Sequence, residues 1–180
     1  GRKKAIAVGR LENQKGFDML IDCWKRVAEQ HPDWHLDIYG VGSLHDKLQE
    51  QIDQLCLNDY ITLCGRSNNI MDVYPEYSLH IMSSRYEGQP MTLIEAQACG
   101  LPSVVFNFKF GAADIVQNGV NGIIVPQNDC KAFSEALCTM MSSEDMRKAY
   151  GENALEVGKQ YFKNNVFSKW IELLEFISKA

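Results

Sequence analysis

The sequence has no apolar run long enough to cross a bilayer, no basic stretch, no low-complexity segment and no short-period repeat. It also lacks a signal-peptide core, because Gly1-Arg2-Lys3-Lys4 leads straight into an apolar strand-like run, and the cytoplasm is therefore the expected compartment. Cys-x-x-Cys spacing is missing. The six cysteines (Cys23, Cys56, Cys64, Cys99, Cys130, Cys138) are scattered through apolar contexts, which excludes the usual metal and redox pairings and reads as free buried thiols in a reducing compartment. Lys and Arg are in deficit, 18 against 23 Asp and Glu, and a net charge of −5 argues against nucleic acid as a partner. The full dinucleotide fingerprint Gly-x-Gly-x-x-Gly is absent, and Gly40-Val41-Gly42 is only a weak fragment of it.

What remains is a composition of 46% apolar and 23% charged residues, ordinary for a globular protein, over 180 residues. That length suits one domain with a well-buried core and is short for two. The expected organisation is one unit over residues 1–180, and the start of the chain almost inside its first strand suggests that it belongs to something larger.

Periodicity gives an alternation of strand and helix. Ala5 to Val8 reads as a strand, and Phe17, Leu20, Ile21, Trp24, Val27 and Ala28 recur at helical spacing until His31-Pro32. Leu36, Ile38 and Tyr39 form a second strand. A helix is then expected from Ser43, with Asp46 completing a capping box and Leu44, Leu48, Ile52 and Leu55 as its stripe. Strands follow near Tyr60 to Leu63, at Leu79 to Met82, Pro102 to Phe106 and Gly122 to Val125. Between and after them come helical pieces at Ile70 to Tyr74, Pro90 to Ala98, Gly111 to Val116, Asp129 to Met141, Glu144 to Tyr161 and Val166 to Ser178. The pattern predicts an α/β fold: a doubly wound parallel sheet with helices on both faces.

In such a sheet the ligand crevice lies at the carboxyl ends of the strands, beside helix N-termini. The loops there begin at Gly9-Arg10, Gly40-Val41-Gly42, Gly65-Arg66, Ser83 to Gln89 and Asn107 to Gly111, and every one carries glycine. A single such glycine serves a turn as readily as a ligand. Together they let backbone approach a phosphate, and Arg10, Lys15 and Arg66 are cations suited to a diphosphate, although Lys15 and Arg66 equally suit an ordinary surface. The most informative segment runs from Ser83 to Ala96. Pro90 is expected at the first helical position, so the free N–H groups of the opening turn face the crevice beside Gly88 and Thr92. Glu87 precedes that helix and Glu95 lies inside it, roughly 8 Å further along the axis. Carboxylates beside an anion site repel the anion, but they accept hydrogen bonds from paired hydroxyls, and a sugar nucleotide carries hydroxyls on both sides of its diphosphate. The alternative is a solvated helix residue at Glu95 and a capping acid at Glu87.

With Glu-Gly-Gln-Pro-Met-Thr-Leu-Ile-Glu-Ala from Glu87, followed by Cys99-Gly100-Leu101-Pro102-Ser103-Val104, the sequence resembles the C-terminal domain of retaining glycosyltransferases of the GT-B fold, family 4 group. Gly9-Arg10-Leu11 with Lys15-Gly16, Ile38 to Gly42, Leu63-Cys64-Gly65 and Asn118 to Gly122 also fall in that family's order, so the resemblance spans nearly the whole chain. It implies that Arg10 and Lys15 contact the diphosphate of a nucleotide-sugar donor, a UDP-sugar for example, and that Glu87 holds the hydroxyls of the transferred sugar. It also implies that main-chain groups around Gly88, Gln89, Pro90, Met91, Thr92 and Leu93 hold the phosphates, that Glu95 binds the ribose, and that Gly65-Arg66-Ser67 lies near the base, with Gly9 and Gly42 completing the donor site. Glu87, Arg10 and Lys15 would then be the catalytic set. No cofactor and no metal are expected, in keeping with the lack of any Asp-x-Asp pair. Gln89 stands where an aromatic residue is common in the family and Asp114 where Glu is, which leaves the sugar undefined.

An N-terminal domain that binds the acceptor is not in this sequence, and any peripheral membrane association would come through that half. No residue here offers a general base: His31 and His45 read as surface helix residues, His35 and His80 as strand residues. The last helix, with Val166, Trp170, Leu173, Leu174 and Ile177 on one side, packs either on the absent domain or on this one. Two other readings share the fold: a sugar-nucleotide epimerase or phosphorylase, the latter without an apparent pyridoxal lysine, and a non-catalytic nucleotide-binding domain.

Overall fold

The computed structural model describes residues 2–109 and 111–161, and beyond these residues 166–168, 170, 171 and 177. Six strands, β1 (Lys4–Val8), β2 (His35–Tyr39), β3 (Ile61–Gly65), β4 (Leu79–Met82), β5 (Ser103–Phe106) and β6 (Gly122–Val125), form one parallel sheet in the order β3-β2-β1-β4-β5-β6. The chain builds outward from β1 to β3, then returns to lay β4 against the other side of β1. The loops after β1 and β4 therefore diverge to opposite faces, and a crevice opens between them at the carboxyl edge. This switch of direction is what brings residues 9–16 beside residues 83–90.

Alternation along the strands sorts the two faces. Ala5, Ala7, Leu36, Ile38, Leu79, Ile81, Val104 and Phe106 point to one side, where α1 (Phe17–Gln30), α2 (His45–Gln54) and α6 (Cys130–Ser142) cover them. The six apolar residues read at helical spacing in α1 are all buried there, and Phe106 stacks on Phe133 with centroids 4.1 Å apart. The other face carries Ile6, Met82 and Val105 under α4 (Met91–Ala98) and α5 (Ala112–Ile115), with Tyr74 and Leu101 filling the gap. It also carries buried polar residues, Asp37, His80 and Ser103. The remaining helices are α3 (Ile70–Val73), followed by a 3-10 turn at Tyr74–Glu76, and α7 (Glu144–Lys159), which packs along α4.

Local chemistry differs from expectation in three places. Ser43 does not cap α2: its N–H and hydroxyl both donate to Glu12, at 2.9 and 2.8 Å, and Leu44 takes the cap position with no side-chain bond. The competing partner lies on another loop, beyond the reach of a local motif. Pro90 occupies the N-cap position, with Met91 the first helical residue. The cysteines are all free, yet only Cys23 and Cys138 are buried, and Cys56 is exposed. True caps occur at Asp129 and Ser143, whose side chains accept from Ala132 and Met146 N–H. Of the final apolar stripe, Val166, Trp170 and Ile177 are exposed, while Leu173 and Leu174 lie outside the described residues. Among the described residues no helix is long and apolar enough to cross a membrane.

The contact of α7 on α4 gives a sign-reversed prediction. Replacing a helical glycine by alanine ordinarily stabilises by about 0.5–1 kcal/mol. At Gly158 a Cβ would lie 2.4 Å from Ala98 Cα and 2.5 Å from its nitrogen, both backbone atoms that cannot swing aside. Gly158→Ala is expected to destabilise by about 1–3 kcal/mol, the usual cost of overpacking, as a lower urea midpoint. An unchanged or higher midpoint would show that α7 does not sit this close.

Candidate functional site

The site is assembled from the loop after β1 and the loop after β4. The first passes through a 3-10 turn at Asn13–Lys15 and ends at Gly16, whose φ is 63°. A Cβ at Gly16 would fall 2.2 Å from Ser83 O, so only glycine permits both the left-handed turn and the seating of one loop on the other. Ser83 Oγ in turn donates to Lys15 O at 2.9 Å. The aliphatic stem of Lys15 lies over Gly9, where a Cβ would be 2.9 Å from its Cδ. Its ammonium then reaches the Glu87 carboxylate at 2.7 Å, with the two side chains 14% and 5% exposed.

Glu87 is thus a buried carboxylate with a built surround. Its Oε1 accepts from Lys15 and from Ser84 Oγ at 2.6 Å, and its Oε2 accepts from Gln14 Nε2 at 3.3 Å. A carboxylate has about four acceptor positions, so among the described residues one on Oε2 has no donor. Lys15 has spent one of its three donors on Glu87. Arg10, exposed, gives one bond to Gln14 Oε1 at 3.2 Å, and among the described residues no other group takes its guanidinium.

Beside this pair a cleft of 340 Å³ is lined by Gly9, Arg10, Tyr39, Gly40, Arg66 and Ile70 among others. Gly65 anchors its far wall by accepting the Gly40 N–H at 2.8 Å. Gly42 does not line it. A Cβ there would sit 2.4 Å from Leu11 O, so this glycine is required for the loops after β1 and β2 to touch. A larger groove of 410 Å³, at Leu101, Pro102, Arg147 and Leu155, lies by the starts of β4 and β5, on the edge away from the loops that carry the charged groups.

The start of α4 offers fewer free donors than its sequence suggests. Met91 N–H is taken by Gln89 O at 2.9 Å, and Leu93 N–H by the carbonyl of the cap residue Pro90 at 3.0 Å. Gly88 and Thr92 keep N–H groups without a partner among the described residues, and Thr92 Oγ1 is buried and unpartnered too. The side chain of Leu93 is wholly core, and Gln89 and Met91 are exposed. Half-buried Glu95 accepts from Tyr74 OH at 3.2 Å, and burial raises its pKa above the usual carboxylate range, against the lowering effect of that hydrogen bond.

Sequence reasoning missed Gln14, Ser84 and Tyr74. Ser84 lay inside the singled-out segment, three residues before Glu87. Gln14 and Tyr74 reach their glutamates across 73 and 21 residues, a relation no local pattern carries.

The six-stranded parallel sheet with helices on both faces matches the Rossmann-like domains of GT-B glycosyltransferases. The chain belongs to the family of glycosyl transferases group 1, whose family model matches residues 1–157. It is 34% identical over 173 residues to the amylovoran biosynthesis glycosyltransferase AmsD of Erwinia amylovora, covering 96% of this chain and 48% of that one. It is 32% identical over 179 residues to an exopolysaccharide phosphotransferase of Streptomyces coelicolor, covering 98% of this chain and 19% of that one. Among solved structures it is similar to the pneumococcal O-GlcNAc transferase GtfA, in complex with UDP and GlcNAc, with a TM-score of 0.89 and 25% identity over 100% of this chain and 37% of that one. The chain thus spans half or less of the length of these relatives.

Beneath the site, His80 is fully buried, with Nδ1 3.2 Å from Ser103 Oγ and Nε2 without a partner among the described residues. Burial, with a smaller push from the charge of Lys15, lowers its pKa to about 3. Below the unfolded value of 6.5 the unfolded chain takes up a proton that the folded chain refuses, so stability falls as pH drops from 6.5 towards 3. At about 1.4 kcal/mol per pH unit, the parent is expected to lose about 2 kcal/mol more than His80→Asn between pH 7 and pH 5, measured by urea unfolding. Equal losses would mean that the folded state accepts the proton.

Proposed function

We propose that this chain is the donor-binding domain of a retaining glycosyltransferase of the family 4 group, which moves a hexosyl-type sugar from a nucleotide diphosphate sugar to an acceptor. The observation that carries the reading is the buried Lys15–Glu87 pair, whose lysine stem lies over Gly9, a lining residue of the 340 Å³ cleft. Burying two charges is costly, and a pair placed at a crevice instead of in the core has its use in meeting a ligand. In this reading Arg10 and the two remaining donors of Lys15 neutralise the diphosphate, helped by Gly88 and Thr92 N–H. The open position on Glu87 Oε2 takes a hydroxyl of the transferred sugar, and Glu95, oriented by Tyr74, takes the paired ribose hydroxyls. The base lies in the cleft between Tyr39 and Arg66. The UDP carried by the pneumococcal relative makes a UDP-sugar the first donor to test. Charge neutralisation rests on side chains, and the reaction asks for no metal. The acceptor belongs to an N-terminal domain, so residues 1–180 alone are expected to bind donor and hardly turn over.

Calorimetry with UDP-, GDP- and ADP-sugars tests the reading, and a folded chain that binds none of them refutes it. Glu95→Ala is expected to weaken nucleotide binding by about 1.5–3 kcal/mol, roughly one to two orders of magnitude in Kd, the worth of hydrogen bonds to a charged group. Glu87→Ala should spare the free nucleoside diphosphate relative to the sugar nucleotide. Parent-like affinity of both variants for the intact donor would overturn these roles.

A further inference from the structure

Between the two loops of the site lies an ion pair that the donor-binding roles do not use. Arg85, two residues before Glu87, sends its guanidinium across to Asp18 in the first turn of α1, with Nη1 2.8 Å from Oδ1 and Nη2 2.6 Å from Oδ2. The same Nη1 donates to Asn13 O at 2.8 Å, and the Arg85 N–H donates to Gln14 O at 2.8 Å. One residue of the β4 loop therefore makes four bonds to residues 13–18, the segment that carries Lys15. Gln14 returns the contact by donating to Tyr86 O at 3.1 Å.

The pair is partly exposed, at 29% for Arg85 and 45% for Asp18, and such pairs add little to stability. What a planar guanidinium against a carboxylate does supply is direction, because two parallel bonds fix both the distance and the plane. The carboxylate holds the guanidinium in the charged form, and the guanidinium lowers the Asp18 pKa. Lys15 and Glu87 lie three residues before Asp18 and two after Arg85, so the clasp spans the same gap as the Lys15–Glu87 pair and closes it from the outer side.

We propose that Asp18 and Arg85 are positioning residues, whose bidentate clasp sets the separation and angle of Lys15 and Glu87 at the diphosphate and sugar end of the donor. The role rests on the donor-binding reading above. It predicts an effect confined to that end. The base end of the cleft, at Tyr39, Gly40, Arg66 and Ile70, comes from β2 and the segments after β2 and β3, to which the side chains of Asp18 and Arg85 make no bond among the described residues; only Gly9 and Arg10 of the lining share the loop that the clasp holds.

Calorimetry on the parent, Arg85→Gln, Asp18→Asn, Arg85→Lys and the double variant Asp18→Asn/Arg85→Gln, with the nucleoside monophosphate, the nucleoside diphosphate and the sugar nucleotide of the base the parent prefers, tests this. Misplacing a reacting or binding group by about 1 Å costs up to about 100-fold, so a loss of about tenfold for the sugar nucleotide is expected in each neutralised variant. Monophosphate binding should stay within about twofold, which also certifies that the variant is folded. The double variant should be no worse than either single one, because both remove the same interaction. Arg85→Lys, keeping charge without the fork, should recover only part of the loss. Parent-like affinity of Arg85→Gln and Asp18→Asn for the sugar nucleotide overturns the clasp while leaving the donor reading intact. An equal loss for all three ligands makes the pair merely structural and overturns it as well. A parent that binds no nucleotide overturns the donor reading and the clasp together.

Discussion

The Lys15–Glu87 ion pair joins the two halves of the sheet's crevice, and most of the local structure serves to make it possible. A lysine and a glutamate separated by 72 residues meet at 2.7 Å only because β4 returns beside β1 and sends its loop toward the other face. Gly16 then lets the loops touch, and Gly9 gives the lysine stem room to lie flat. Removing these charges from water is unfavourable. The hydroxyl of Ser84 and the amide of Gln14 share the carboxylate and offset part of that cost. The pair is better understood as a device for holding two ligand-binding groups than as a source of stability.

The same economy appears one layer down. On the face under α4 the sheet carries polar side chains where a simpler protein would place aliphatic ones. Gln97, Ser103 and Asn121 bond to one another at 3.0 and 2.7 Å, and His80 joins them through Ser103. Asn121 also accepts the Gln117 N–H and donates to Ile115 O, so this network ties β5, α4 and the segment after α5 into one body. The bonds among Gln97, Ser103 and Asn121 favour one arrangement over its neighbours, because a slip there leaves further buried polar groups without a partner. The support of α4 matters for function: that helix carries Thr92 and Glu95.

The candidate site was legible in the sequence to an uneven degree. Glu87, Glu95, Lys15 and Arg10 stood out because loops at strand ends are where a parallel sheet places its ligands, and because acids beside an anion site need a purpose. Their mutual arrangement was not legible. Nothing in residues 10–15 announces that Lys15 is already paired, and nothing local to Gly42, read as part of the site, announces its packing against Leu11. The opening turn of α4 was expected to be rich in free N–H groups. The carbonyls of Gln89 and Pro90 take two of them, which leaves a narrower anion site at Gly88 and Thr92.

By itself the sequence determined the elements and their faces. The spacing of Phe17, Leu20, Ile21, Trp24, Val27 and Ala28 forces one side of a helix inward, and short apolar runs between helices leave a parallel sheet as the way to bury both. Both are consequences of local periodicity, which the chain carries in every window. Only the tertiary structure decided which polar groups meet. Ser43 turns to Glu12 instead of capping its own helix, Tyr74 turns to Glu95, and Arg85 turns to Asp18, each across 21 or more residues. Such pairings depend on the distance between loops after the sheet has formed, and hydrogen bonds fall away within a fraction of an ångström of that distance.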